Sequence, residues 1–295
     1  MNRPSILYCA PGSGLGHVNR ALAVCLELQE LGVSAQIVTN SPFAAGLAQL
    51  ARFPITRIPA ERWQADVRHF AAAVQPELMV CDTFPRGMRG EWKDGLPVPA
   101  IYMARRLNPE AVSTFLGDPG WPDGIVQVIA AEELSGEHDA ALAASKVPVV
   151  HLPGRIRLRP GLLPTEIPAE LERLLDTGRC CLVVHGGPAA EVAQLAGLAR
   201  KQGRPVAITP WGERMEGLPS FEYYPAGNLM ARAAHVFTGA GYNAMADMMF
   251  LSEAHTAVAF PRRFDDQAAR LASWRQAVQD GTREAAQAIA AVLAA

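Results

Sequence analysis

The chain has 295 residues, 49% of them hydrophobic, and a formal net charge of -2. That length is enough for two ordinary domains with their own cores. The near-neutral balance excludes an overall basic field for holding nucleic acid or an acidic membrane surface, and favours a small neutral-to-anionic ligand in a local pocket.

The chain opens with a short apolar strand (residues 5 to 10), a glycine-rich turn and an amphipathic helix (18 to 31). A strand at 35 to 39, a helix near 42 to 51 and a strand at 55 to 58 follow, then apolar runs at 78 to 81, 99 to 103, 125 to 129 and 147 to 152. Apolar runs alternating with helical periods imply a parallel α/β sheet, here of six or seven strands. The first run is too short for a signal segment or a membrane span, so no integral membrane segment is expected. Residues 153 to 168 carry four prolines and two glycines without a regular period, and the domain linker belongs there.

The pattern then recurs. A strand at Cys180 to Val184 meets the turn His185-Gly186-Gly187-Pro188 and a helix from Ala189 to Lys201. Strands at 206 to 209, 221 to 224, 236 to 238 and 256 to 260 follow, with helices at 229 to 233 and 242 to 251. The Ala-rich end, Thr282 to Ala295, is helical by propensity. The expected division is a first Rossmann-like domain over 1–155, a linker over 156–168 and a second such domain over 169–295, facing each other across a cleft. Cys9, Cys25, Cys81, Cys180 and Cys181 lie in apolar runs without Cys-x-x-Cys spacing, and read as reduced core residues of a cytoplasmic protein. Trp63, Trp121 and Trp211 read as core or cleft walls.

Gly12, Gly14 and Gly16, followed by His17, form a turn in which backbone N–H groups and a helix N-terminus can meet an anion. The same glycines would also serve plain strand-to-helix packing. The spacing is not that of a dinucleotide fingerprint, since the second strand ends in Thr39-Asn40 with no carboxylate for a ribose, and no Walker lysine follows. An imidazole beside a helix N-terminus is biased toward its neutral, proton-accepting form, which makes His17 the candidate base. Asp82, ending a buried strand, is placed to orient His17, to act as base itself, or to cap the next turn. A second glycine-marked helix start, Gly239-Ala240-Gly241-Tyr242-Asn243, has Asp247 nearly two turns in, suited to a diphosphate and a ribose diol.

Together, Gly-x-Gly-x-Gly-His-x-x-Arg at 12 to 20, Gly-Ala-Gly-Tyr-Asn-x-x-x-Asp at 239 to 247 and Phe-Pro-x-x-x-Asp-Asp-Gln at 260 to 267 resemble the GT-B nucleotide-sugar glycosyltransferases. The branch most resembled contains the N-acetylglucosaminyltransferase of peptidoglycan synthesis. The resemblance implies an α/β GT-B fold with the nucleotide diphosphate sugar on the second domain. Gly14 and Gly16, then Gly239, Ala240, Gly241, Tyr242 and Asn243, would border the donor phosphates, and Asp247 would hold the ribose. Asp266 and Gln267 would touch the sugar, Tyr223 and Tyr224 the base edge, and His185, Gly186 and Gly187 would line the donor loop. Arg157 is a further candidate for a phosphate. Two departures stand out: the family usually has glutamate where this chain has Asp247, and Leu251 to His255 lacks the usual Gly-x-Pro.

The function implied is an inverting, metal-independent glycosyltransferase with His17 and Asp82 as catalytic pair, a UDP-sugar as donor and an acceptor hydroxyl of unspecified kind. It implies no cofactor beyond the nucleotide diphosphate sugar, which is a substrate. His69, His138, His151, His235 and His255 show no ligand spacing, so no metal site is expected. Two other readings are a nucleotide-sugar hydrolase of the same fold, in which water replaces the acceptor, and a non-catalytic nucleotide-binding regulator on the same scaffold.

Overall fold

The computed structural model describes residues 5–117, 121, 123–163, 165–209, 217–274 and 279–295. Trp211 lies outside them. The described chain divides into two compact units.

The sheet of the first unit is built from β1 (Ile6–Ala10), β2 (Ala35–Thr39), β3 (Ile55–Arg57), β4 (Leu78–Asp82), β5 (Ala100–Ala104), β6 (Ile125–Ala130) and β7 (Val149–His151). All seven are parallel, in the order β3-β2-β1-β4-β5-β6-β7. β1, β4 and β5 are buried along their whole length, which is why they read as unbroken apolar runs. The unit's helices are α1 (Gly16–Glu30), α2 (Ala44–Ala51), α3 (Trp63–Val74), α4 (Pro109–Leu116) and α5 (Gly136–Ser145). Trp63 is in the core, and Trp121 packs edge-on against Tyr102, ring centroids 5.5 Å apart.

The second unit has α6 (Ala169–Asp176), α7 (Ala189–Ala199), α8 (Gly227–Met230), α9 (Tyr242–Asp247) and α10 (Gln267–Ala272) around β8 (Cys180–Val184), β9 (Arg204–Thr209), β10 (Ser220–Glu222), β11 (His235–Gly239) and β12 (His255–Val258). These strands are also parallel, in the order β10-β9-β8-β11-β12. α9 stops at Asp247, one turn short of the expected Leu251, so its dipole is that of a six-residue helix. Among the described residues no helix is long and apolar enough to cross a membrane. The five cysteines are buried free thiols.

Both sheets reverse strand order at one point, between β1 and β4 in the first and between β8 and β11 in the second. Loops leaving the C-terminal ends of such neighbouring strands diverge and open a crevice, where α/β folds place ligands.

The units are not the expected halves. Unit one comprises 1–157 with 263–266 and 279–295, and unit two comprises 158–262 with 267–278. The last helix, α11 (Thr282–Ala294), packs on α1 in the first unit and buries Thr282, Ala285, Ala286 and Ile289. The proline-rich stretch after Arg157 is docked on the second unit: the Gly161 N–H donates to Asn228 Oδ1 at 2.9 Å, and the Thr165 hydroxyl to the Tyr224 carbonyl at 2.8 Å.

Entry into α11 depends on two glycines. A Cβ on Gly154 would run into the carbonyl of Gln279, and one on Gly281 would lie 2.5 Å from the carbonyl oxygen of Gly154. The two backbones cross there, with the Gly281 N–H donating to the Arg155 carbonyl at 2.9 Å. Gly154→Ala is therefore expected to destabilise the protein by about 1–3 kcal/mol, the usual penalty for overpacking. Thermal denaturation will read this as a lower Tm, with amide exchange in α11 rising first.

Candidate active site

His17 is the second residue of α1 and Asp82 the last of β4, the strand paired with β1. The reversal between β1 and β4 therefore brings them together. His17 Nδ1 lies 2.7 Å from Asp82 Oδ1. Arg20, three residues after His17 and on the same helical face, forks onto the carboxylate, with Nε 2.9 Å from Oδ2 and Nη2 bonded to Oδ1. The Tyr8 hydroxyl donates to Oδ2 at 3.0 Å and the Thr83 hydroxyl to Oδ1 at 2.8 Å. Asp82 is fully buried, while the His17 side chain keeps 17% of its exposure.

The electrostatics follow from these contacts. Burial by itself would raise the Asp82 pKa, but the charge of Arg20 and the hydrogen bonds from His17 and Arg20 outweigh it and hold the carboxyl far below its usual range. An ionised carboxylate only accepts, so His17 carries its proton on Nδ1 and Nε2 is the basic nitrogen. Burial lowers the His17 pKa, Asp82 opposes that, and Arg105 and Arg20 reinforce it, with a net shift below 6.5. The imidazole is thus neutral at neutral pH.

A wider frame holds this pair. Thr83 has φ of +69°, a left-handed backbone that a β-branched residue adopts at a cost of about 1–3 kcal/mol. In that conformation its hydroxyl donates to Asp82 and accepts from Arg105 Nε at 3.0 Å. Arg105 continues to Asp265, Nη1 to Oδ1 at 2.5 Å. Phe84 stacks on His17 with ring centroids 5.7 Å apart. Gly12 leaves room for the imidazole, since a Cβ there would lie 2.7 Å from His17 Cδ2. Thr39 and Asn40 staple the glycine turn, the former to the Ala10 carbonyl at 2.7 Å and the latter to the Gly12 N–H at 2.5 Å. Gly14 and Gly16 have nothing within 4 Å of where a Cβ would stand, so packing does not require them.

In the second unit, the β8–β11 reversal gathers His185, Gly187 and Gly239. A Cβ on Gly239 would lie 2.7 Å from His185 Cε1, and one on Gly187 would collide with its Nε2. The space beside these two glycines is thus filled by the His185 ring. His185 Nε2 donates to Glu191 at 2.6 Å, and Arg262 holds Glu191 with two bonds, Nη1 to Oε1 at 2.7 Å and Nη2 to Oε2 at 2.5 Å. Burial keeps His185 below its ordinary pKa, against the pull of Glu191. Gly186 stands in open space.

Among the other expected donor residues, Ala240 is buried, and its carbonyl accepts from Arg270 at 3.1 Å. Gly241 precedes α9, which begins with buried Tyr242 and half-buried Asn243. Gln267 accepts the Phe260 N–H at 3.1 Å through Oε1, which turns its Nε2 toward Gly241. Asp266 is half-buried, and its neighbour Asp265 is the one bonded to Arg105. Tyr223 and Tyr224 are buried, their hydrogen bonds going to Thr209 and Thr165. Asp247 lies beside Tyr224 and Gly227, where its charge adds to burial in raising the Tyr224 pKa. Arg157 is in the first unit with Nε 3.7 Å from Asp280, and its backbone brackets the Thr282 hydroxyl at the start of α11.

Arg20 stood in the sequence motif without a role. Nothing local marked Tyr8, Thr83, Arg105, Glu191 or Arg262.

The His17 environment predicts two opposite shifts, both readable by NMR titration of the imidazole. Arg105→Gln removes a cation and releases Asp265, so the His17 pKa rises. Asp82→Asn removes the anion that favours imidazolium, so it falls.

No protein-family model matches the chain, and no curated protein matches its sequence. Among solved structures it is similar to spinosyn forosaminyltransferase SpnP, with TM-score 0.59 and 12% identity over 99% of this chain and 90% of that one. It is similar to a UDP-glucose:anthocyanidin 3-O-glucosyltransferase in complex with UDP, with TM-score 0.59 and 13% identity over 100% and 95%. A structure assigned as a UDP-N-acetylglucosamine 2-epimerase from Listeria monocytogenes matches with TM-score 0.56 and 11% identity over 100% and 88%. With its parallel-sheet α/β units of seven and five strands, the chain has the GT-B fold.

Proposed function

We propose that the chain is an inverting, metal-independent glycosyltransferase that moves a sugar from a UDP-sugar to an acceptor hydroxyl. One observation carries the reading: a neutral imidazole with its Nδ1–H committed to a buried, permanently ionised carboxylate, and its Nε2 left as a base. That is the machinery for taking a proton from a hydroxyl during attack. Asp82 serves by fixing the tautomer and stabilising the imidazolium that forms, and does not itself take the proton. The likeness to transferases, one of them holding UDP, fits the same chemistry.

In this reading the acceptor O–H proton passes to His17 Nε2 as the oxygen bonds to the anomeric carbon. The bond from that carbon to the β-phosphate oxygen breaks on the opposite face, and the nucleoside diphosphate leaves with the electron pair. A single displacement inverts the anomeric centre. The donor is assigned to the second unit, with Asp247 on the ribose and the turn from Gly239 to Asn243 beside the phosphates. We assign the charge developing on the diphosphate to backbone N–H groups and side chains.

Three outcomes test this. His17→Ala should lower kcat by roughly 10²–10⁴-fold while leaving UDP affinity in calorimetric titration unchanged. The acid limb of kcat/KM should have its midpoint below pH 6.5, because the base loses competence only when protonated and its pKa is lowered. Asp247→Ala should weaken UDP binding by roughly tenfold, as expected for a lost charge-assisted hydrogen bond. A wild-type protein that binds no nucleoside diphosphate would end the proposal, and free sugar released as fast without acceptor as glycoside with it would convert it to a hydrolase.

A further inference from the structure

The first unit takes one short segment, residues 263–266, from late in the chain. Its backbone is pinned beside the residues that follow β5. The Asn108 N–H donates to the Phe264 carbonyl at 3.0 Å, the Asn108 Nδ2 donates to the Arg263 carbonyl at 2.8 Å, and Asp265 forms an antiparallel bridge with Leu107. The Phe264 ring also packs edge-on against Phe115 and Phe84, with centroids 5.3 Å and 5.5 Å away. Main chain and aromatic rings hold the segment, so its attachment does not rest on the Asp265 carboxylate.

That carboxylate is turned to Arg105. Arg105 stands two residues before Leu107, so the bridge brings Asp265 alongside it, and Nη1 donates to Oδ1. The two side chains are only 9% and 12% exposed. A guanidinium so far from water needs a counter-ion, and Asp265 supplies it. From there to the base, the direction of each bond follows from which groups can donate. A guanidinium only donates, so Thr83 Oγ1 accepts from Arg105 Nε at 3.0 Å and from Arg20 Nη2 at 3.2 Å. With its lone pairs engaged, the hydroxyl gives its proton to Asp82 Oδ1 at 2.8 Å, and Asp82 accepts in turn from His17 Nδ1. The strained backbone of Thr83, at φ +69°, persists because such bonds over-determine it.

Resting on the glycosyltransferase reading, we propose that Asp265 is a positioning residue for the His17 base, acting through Arg105 and the Thr83 hydroxyl to hold Asp82 and the imidazole in register. Without its carboxylate, Arg105 is a buried cation lacking its counter-ion and is drawn toward water, and Thr83 loses a bond that turns its proton to Asp82. The charge counts as well as the bond. The charged groups about the imidazole are Asp82 from β4, Arg20 from α1 and Arg105 from beyond β5, with Asp265 behind Arg105. Arg105 disfavours imidazolium, and Asp265 offsets that cation. Asp265 is followed directly by Asp266 and Gln267, which the same reading puts at the donor sugar, so adjoining residues serve the sugar and the base.

The first arm of the test needs no reaction. Asp265→Asn keeps an acceptor for Arg105 and removes only the charge. In NMR titration of the donor-free protein the His17 midpoint should therefore fall by about 0.3 pH unit or more, the effect of a unit charge about 10 Å away in a medium as polar as water. The second arm is a double-mutant cycle on kcat. Asp265→Ala should lower kcat at least roughly tenfold, a modest cost for a misplaced base. Asp265→Asn should recover most of that loss, and in the Arg105→Gln background Asp265→Ala should cost little more. UDP affinity in calorimetric titration should stay the same throughout. An unmoved His17 midpoint, an Asp265→Ala loss as large without Arg105 as with it, or weakened UDP binding would overturn the assignment. The two readings fail separately. If the wild type converts no donor while the midpoint falls as stated, glycosyl transfer falls and the link from Asp265 to His17 stands. If transfer depends on His17 and the midpoint does not move, transfer stands and the positioning role falls.

Discussion

A carboxylate withdrawn from water is tolerable only when donors replace the water, and four side chains do so around Asp82: Tyr8, His17, Arg20 and Thr83. Each comes from a different local setting, namely a central strand, the first and second turns of a helix, and a strained residue just past a strand end. The burial of Arg20 is the counterpart of the burial of Asp82, because either group alone would be an uncompensated charge inside the protein. Breaking such a pair from one side typically costs about 3–5 kcal/mol. The arrangement is thus stabilising only as a set, and His17 inherits its orientation from that set.

The same interaction sets the chemistry. A carboxylate whose proton affinity is this low is a poor base, however close it lies to a reacting group. What it does instead is hold one nitrogen of a histidine so that the other is aimed and unprotonated. Arg20 and Arg105 add positive charge near the imidazole, and burial removes the water that would stabilise imidazolium. The balance leaves an imidazole that is neutral at physiological pH.

Much of this was legible in the sequence, for identifiable reasons. The central strands β1, β4 and β5 are buried on both faces and so read as apolar runs. His17 and the two glycine turns were found because spacing is local. Helices α3, α4, α5 and α6 were missed, and α3 and α5 each bury only a thin stripe, Trp63, Val67 and Ala71 in one and His138 and Leu142 in the other. That Gly187 and Gly239 make room for the His185 ring was not legible, since a glycine that admits a ligand and one that admits a neighbouring imidazole are spelled the same way. Arg105 meets Asp265 across 160 positions of sequence, and no period or motif connects them. The final helix was assigned to the wrong unit because amphipathic pattern tells which face is buried, but not against what.

The division of the chain into 1–157, 158–262, 263–266, 267–278 and 279–295 means that the path changes unit four times. Neither unit is a continuous stretch of sequence. As the polypeptide leaves the ribosome, the seven strands of the first sheet are all present by His151, yet that unit still lacks Phe264, Asp265 and α11, the helix that covers α1. The first unit therefore completes its surface after the second unit has been synthesised, and the apolar face of α1 waits uncovered through the interval. For the same reason, no cut at a single peptide bond separates this protein into two intact pieces.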